Sequence, residues 1–169
     1  MMDTIRKYPD KVLRKKSVKV EKITDKEKNL LKEMAVTMKE NNGIGLAAPQ
    51  VGVNLRLIIA ETPKGIIKMI NPVIEKKEGE SILNEGCLSF PGITVTVQRA
   101  EKIIVSGLSE KGELLKFEVG GLMSHVFQHE IDHLNGKLII DYLPLWEKLR
   151  YNLNKKKIGA MNENQVGTY

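Results

Sequence analysis

The residues best suited to chemistry are Gln128-His129-Glu130-Ile131-Asp132-His133, an H-E-x-x-H pattern inside an apolar run. On a helix, positions i and i+4 sit one turn apart and about 40° apart around the axis. Two imidazoles so placed can hold one metal ion from the same side. Glu130 follows the first histidine, where its carboxylate can lean toward the ion's open position and carry a proton. A plain surface turn bearing two unrelated histidines is the simpler account. Composition argues against it, because the chain has 3 histidines and two fall in this pattern.

Two histidines leave an ion short of ligands. The single cysteine, Cys87, lies in Asn84-Glu85-Gly86-Cys87-Leu88-Ser89. A lone cysteine is most often a small buried apolar residue. It cannot form an intramolecular disulfide, so a reducing setting is expected. One cysteine with two histidines gives three protein ligands and leaves a fourth position for water, the pattern of a catalytic site. The alternative third ligand is a downstream acid, Asp141, Glu147 or Glu163, as in a zinc endopeptidase. His125 stands one turn before His129, but three histidines on successive turns span about 12 Å. They cannot all reach one ion at about 2 Å, so His125 reads as a pocket or helix-face residue. Upstream, GIGLAAPQVG (43–52) is built from small residues and ends on the amide of Gln50. It is either a plain connection or a place where another group approaches the backbone closely. A buried amide needs a partner, and a substrate carbonyl or oxyanion is one.

The elements that must position these residues follow from periodicity. Thr24-Asp25-Lys26-Glu27 has the form of a capping box, and Leu30, Leu31, Met34, Ala35 and Met38 recur at helical spacing. The spacing predicts a helix over 24–42, stopped at Asn41-Asn42-Gly43 by the glycine. Short β-branched runs at 55–60, 66–70, 93–97, 102–108 and 114–119 are separated by turn signals, and their close spacing favours antiparallel pairing. Gly120-Gly121 ends the last of them, and a helix over 122–134 carries the histidines. A final helix over 144–157 places Leu145, Leu149 and Leu153 on one face, with Lys148, Arg150, Lys155, Lys156 and Lys157 elsewhere on it.

Hydrophobic content of 41% and charged content of 28% are those of an ordinary globular protein, and 169 residues suit one domain over 1–169. No apolar run reaches the roughly 18–20 residues needed to span a bilayer. The N-terminal stretch MMDTIRKYPDKVLRKK has no apolar core and carries aspartates, so no export or transit signal is expected and a cytoplasmic location is. A net charge of +6 and a pI near 9.3 fit either an acidic partner such as RNA or a solvated lysine-rich surface. The tail from about 159 is polar and expected to fray.

Three separated motifs, GIGLAAPQ (43–50), EGCLS (85–89) and QHEIDH (128–133), stand in an order that resembles the peptide deformylases. The resemblance covers nearly the whole chain. It implies an α+β fold, with antiparallel β-sheets packed around a central metal-binding helix and helices at both ends. It implies removal of the N-formyl group from the formyl-methionine of nascent polypeptides, releasing formate. One divalent ion, Fe2+ natively and replaceable by Zn2+, Ni2+ or Co2+, is implied on Cys87, His129 and His133. Glu130 is then the proton carrier, and Gln50 with the backbone N–H of Leu88 stabilises the oxyanion. Gly43, Ile44, Gly45, Leu83, Leu122, His125 and Val126 are implied at the substrate: Ile44 and the last four line the pocket for the methionine side chain, and Gly45 offers its backbone. Glu85, Arg99 and Asp132 are implied as structural support. His125 departs from the apolar residue the resemblance implies and is expected at the pocket's outer rim. Similar proteins use the basic C-terminal helix to dock on the ribosome, and a monomer is favoured. The competing readings are a zinc endopeptidase and a non-enzymatic metal- or RNA-binding module.

Overall fold

The computed structural model describes residues 5–164, with side chains through 154. Strand β2 (Leu57–Thr62) shows how the sequence builds the core. Successive strand residues point to opposite faces, and both faces of this one are apolar. Leu57 and Ile59 pack against Leu30, Leu31, Met34 and Met38 of helix α1 (Asp25–Glu40), with Leu46, Ala48, Val51 and Ile70 completing that cluster. Ile58 and Ala60 pack on the other side against Val126, Phe127, Ile131 and Leu134 of helix α2 (Gly121–Leu134). The sheet is thus held between the two helices, and the histidine motif rides on the second.

That sheet has the order β1-β2-β3-β6-β7, all neighbours antiparallel, with β1 (Gly45–Ala47), β3 (Gly65–Glu78), β6 (Lys102–Leu108) and β7 (Leu114–Gly120). A second sheet is the hairpin of β4 (Ser81–Gly86) and β5 (Thr94–Arg99). Several of these strands differ from the sequence reading, which had none at β1. The expected strand at 66–70 runs on to Glu78, because Asn71 (φ 53°) and Pro72 occupy a register shift between Ile70 and Val73. A bulge is where a strand tolerates a proline and a left-handed residue. The Asn71 amide is used there, bonding both backbone groups of Val20 at 2.9 Å. Strand β4 was not foreseen, and it carries Glu85.

Helix α1 begins with the expected capping box. The Glu27 carboxylate accepts from Thr24 N–H at 2.8 Å, and Thr24 Oγ1 accepts from Lys26 N–H at 3.3 Å. Its stop differs from expectation: Asn42 adopts the left-handed conformation (φ 54°), not Gly43. The C-terminal helix α3 runs over Leu145–Asn164, past the expected 157. Residues 165–169 and the side chains of Lys155, Lys156, Lys157 and Glu163 lie outside what is described. Leu145, Leu149 and Leu153 are exposed, and α3 meets the body through other positions. Tyr151 packs near Tyr8 and Phe90, and Tyr8 Oη donates to Asn152 Oδ1 at 3.0 Å.

Asp141, between α2 and α3, ties both chain ends together. It accepts from Arg14 Nη2 at 3.1 Å and Leu138 N–H at 2.9 Å, and it pairs with Lys148. Burial alone would raise its pKa, but the hydrogen bonds from Arg14, Lys148 and Leu138 outweigh it and hold the carboxyl at about 2. A depressed pKa contributes stability above the unfolded-state value, lost as pH falls through the folded one. Because the site is partly solvated, Asp141→Asn should cost only about 1 kcal/mol at pH 7. Urea unfolding should show that difference shrinking between about pH 4 and pH 2.

Candidate metal centre

Helix α2 is fixed by a polar pair one turn apart, Ser124 and Gln128. Ser124 Oγ donates to Ala100 O at 2.7 Å, Gln128 Nε2 donates to the same oxygen at 3.0 Å, and Gln128 Oε1 accepts from Ala100 N–H at 3.3 Å. These bonds set the helix against the end of β5. His129 and His133 then lie edge to face, 5.0 Å between ring centroids. Cys87, in the loop after β4, places Sγ 3.2 Å from His133 Nε2. One donor atom from each of Cys87, His129 and His133 lies within 4.8 Å of the others, close enough for a single ion.

The surroundings suit that donor set. Glu85 Oε2 accepts from His129 Nδ1 at 3.0 Å, which leaves Nε2 turned toward the cluster. A histidine ligand is usually oriented by just such a bond from its other nitrogen. Burial lowers the pKa of His133 well below its ordinary value, reinforced by the charges of His129 and Arg99, so its ring stays neutral and can offer a lone pair. Sulfur with two imidazoles is a donor set for Zn2+, Fe2+ and neighbouring ions. Asp141 is committed to Arg14, Lys148 and Leu138 and takes no part.

Glu85 is buried and paired with Arg99, which donates from Nε to Oε1 at 2.6 Å and from Nη2 to Oε2 at 2.9 Å. Arg99 Nη1 reaches Asp132 Oδ2 at 2.8 Å and Tyr142 Oη at 2.9 Å, and Tyr142 Oη donates to the same aspartate oxygen at 2.6 Å. Burial works against the Glu85 charge, yet the bonds from His129 and Arg99 prevail and hold it at about 2. Arg99 and Asp132 line a separate cavity of about 480 Å³ behind the site.

A front cavity of about 780 Å³ collects most of the remaining residues singled out in the sequence. Gln50, Cys87, Leu88, His129 and Glu130 line its floor, and Gly43, Ile44 and Gly45 one wall. Leu83, Leu122, His125 and Val126 line it as well. Gln50 Oε1 accepts from Ala47 N–H at 2.8 Å, so its Nε2 points at Cys87 Sγ (3.7 Å) and Ser89 Oγ (3.4 Å). Glu130 is buried, and its Oε2 has no hydrogen-bond partner among the described residues. Such an oxygen awaits a polar occupant. Burial pushes the Glu130 pKa up to about 7, against the opposing charges of His129 and Arg99.

His125 is the correction. It is not a rim residue: it is 1% exposed, with Nδ1 2.7 Å from Glu85 Oε1 and Nε2 2.7 Å from Ser81 Oγ. A polar ring deep in the wall needs both partners, and β4 supplies them. The sequence reading also missed Ser81, Ser124 and Tyr142. Ser124 and Gln128 carried a signal, a polar i, i+4 pair on an otherwise apolar helix. Ser81 and Tyr142 carried none, since their partners come from other elements.

Two histidines from one helix, a cysteine from a separate loop and a buried carboxylate with one unpartnered oxygen form the kind of site a metal hydrolase uses. The family model described as "Polypeptide deformylase" matches residues 2–148. The peptide deformylase of Dictyoglomus turgidum is 48% identical over 141 residues, 83% of this chain and 92% of that protein. The crystal structure of a peptide deformylase from Legionella pneumophila covers 100% of both chains at 37% identity, with a TM-score of 0.86. That of Synechococcus elongatus in complex with actinonin covers 90% of this chain and 85% of its own, at 38% identity and a TM-score of 0.83. The chain belongs to the peptide deformylase family. It is a metal-dependent hydrolase that removes the N-formyl group from the N-terminal formyl-methionine of nascent polypeptides.

Gly45 has a packing reason for its identity. A Cβ built there would lie 2.4 Å from Glu130 Oε1 and 2.9 Å from Val126 Cγ1. Gly45→Ala should therefore push the Glu130 carboxylate aside and lower kcat for formate release by roughly tenfold or more, since small misplacements of a reacting group are costly. The thermal midpoint should fall as well, because Val126 Cγ1 belongs to a short, buried side chain that cannot swing aside. An unchanged kcat would show that Glu130 has room to shift.

Proposed function

We propose that Cys87, His129 and His133 hold the divalent ion, and that the ion is Fe2+ natively, with Zn2+, Ni2+ or Co2+ able to take its place. The observation that carries this is the convergence of their three donor atoms within 4.8 Å, in a buried site beside Glu130. When bound, the ion supplies a Lewis acid for the formyl carbonyl and for water. Gln50 Nε2 and the backbone N–H of Leu88 act as donors to the oxyanion that develops as the formyl carbon becomes tetrahedral; one such donor is typically worth about 3–4 kcal/mol. Glu130 takes a proton from the attacking water and returns it to the leaving amine. Its burial keeps that carboxylate from preferring either protonation state strongly, which suits a group that must both accept and release. Gly43 and Gly45 leave the substrate backbone room to approach, and Ile44, Leu83, Leu122, His125 and Val126 form the wall for the methionine side chain. Glu85, Arg99 and Asp132 keep His129 in place. The chain acts in the cytoplasm as a monomer with a single catalytic domain. Among the described residues no helix is long and apolar enough to cross a membrane.

Formate release from formyl-Met-Ala-Ser by anaerobically purified protein tests this reading. Glu130→Gln should reduce kcat by about 10²–10⁴-fold with the metal still bound. Cys87→Ala should lose the ion, and chelation of the wild type should abolish turnover until Fe2+, Ni2+ or Co2+ is restored. No release after reconstitution would sink the assignment.

Ribosome docking through α3 is supported by its basic positions, Lys148, Arg150 and the sequence run Lys155-Lys156-Lys157. Replacing that run by alanines should weaken co-sedimentation with ribosomes at low salt, and wild-type binding should itself fall steeply with added salt. Co-sedimentation unaffected by both would remove this role.

A further inference from the structure

We propose that His125 is a positioning residue for the metal centre, holding Glu85 in the orientation that in turn holds His129. The inference rests on the assignment of His129 as a ligand. A carboxylate has about four lone-pair sites. The Arg99 fork takes one on each oxygen, at 2.6 and 2.9 Å. The two remaining sites go to the two histidines one turn apart on α2: His125 Nδ1 on Oε1 at 2.7 Å and His129 Nδ1 on Oε2 at 3.0 Å. The helix therefore grips the carboxylate at two points, and one of them is a histidine that binds no ion. With His125 absent, Glu85 would keep the Arg99 fork but lose the bond that stops it rocking about that fork.

Ser81 completes the arrangement. Its Oγ lies 2.7 Å from His125 Nε2. A hydroxyl donating there leaves the proton on Nδ1, the nitrogen that must donate to Glu85. The chain Ser81–His125–Glu85–His129 thus runs from the start of β4 to the metal cluster. With both its nitrogens engaged, the ring offers mainly carbon to the cavity. An apolar residue could fill the same wall without supplying the bond, so packing against substrate does not account for a histidine at this position.

Wild type, His125→Leu, His125→Gln and Ser81→Ala should be titrated anaerobically with Co2+. Binding is followed by the cobalt–thiolate and d–d absorption bands, with KM and kcat for formyl-Met-Ala-Ser measured on the loaded proteins. His125→Leu should weaken Co2+ binding by about tenfold or more, as loss of a partner behind a ligand does, and shift the d–d bands. His125→Gln, whose amide can still donate to Glu85, should recover most of the affinity, and Ser81→Ala should weaken it in the same direction. Unchanged Co2+ affinity and spectrum in His125→Leu would overturn the proposal and make His125 a pocket wall only. Should that variant not fold, wild-type affinity and spectrum in Ser81→Ala would overturn it. Absence of the thiolate band in the wild type would instead defeat the ligand assignment itself.

Discussion

The structure depends on keeping the Glu85 carboxylate charged inside the protein. Removing an ion from water costs several kcal/mol, and one bidentate partner rarely repays it. Here Arg99 is joined by two histidine donors, and Arg99 is in turn balanced by Asp132 and Tyr142. The groups come from β4, β5, α2 and the segment before α3, so the network joins the small hairpin to the helix that carries the proposed histidine ligands. Replacing this network by apolar residues could leave stability intact. Its value lies in direction: an apolar cluster has no means of pointing the Nε2 of His129 at a chosen place.

The apolar core solves a complementary problem. Because β2 is apolar on both faces, α1 and α2 can pack on opposite sides of one sheet, and α2 is covered along its buried side. The remaining side of α2 carries the chemistry. Strand β1, at the edge of that sheet, meets α2 at Glu130 and Val126, and the sequence supplies glycine there. Gly45 allows the approach to Glu130, and Gly43 performs the same service for Leu88, whose Cδ1 would lie 2.8 Å from a Cβ at that position. The close-approach reading of this segment thus holds for steric reasons internal to the protein.

What was legible beforehand was whatever is encoded locally. The i, i+4 histidines, the capping box at Thr24 and the amphipathic period of α1 depend on neighbours a turn away, and all three stand in the structure. The strands with β-branched runs were visible for the same reason. Strand β4 was not, because Asn84-Glu85-Gly86 is poor in β-formers and is held extended by pairing with β5. The continuation of β3 was hidden by Asn71-Pro72, which reads as a break until Asn71 is seen bonding Val20. The stop of α1 fell on Asn42, because asparagine tolerates the left-handed conformation that glycine was expected to supply. His125 was misplaced because its partners, Glu85 and Ser81, are about forty residues distant in sequence, and nothing local reports a buried acceptor.

Gln50 shows how the same logic extends from support to chemistry. An amide can present either its oxygen or its NH2 to a site, and only the second would favour a developing negative charge. The choice is made three residues upstream: Ala47 N–H, on β1, holds the amide oxygen at 2.8 Å. The strand that gives Glu130 its room therefore also orients Gln50. Donors fixed before substrate arrives need not reorganise as charge develops, which is why such dipoles act more strongly in a buried site than in water. In the proposed mechanism the small residues of 43–50 serve both ends of the reaction, giving space to Glu130, which moves the proton, and a fixed direction to Gln50, which donates to the developing oxyanion.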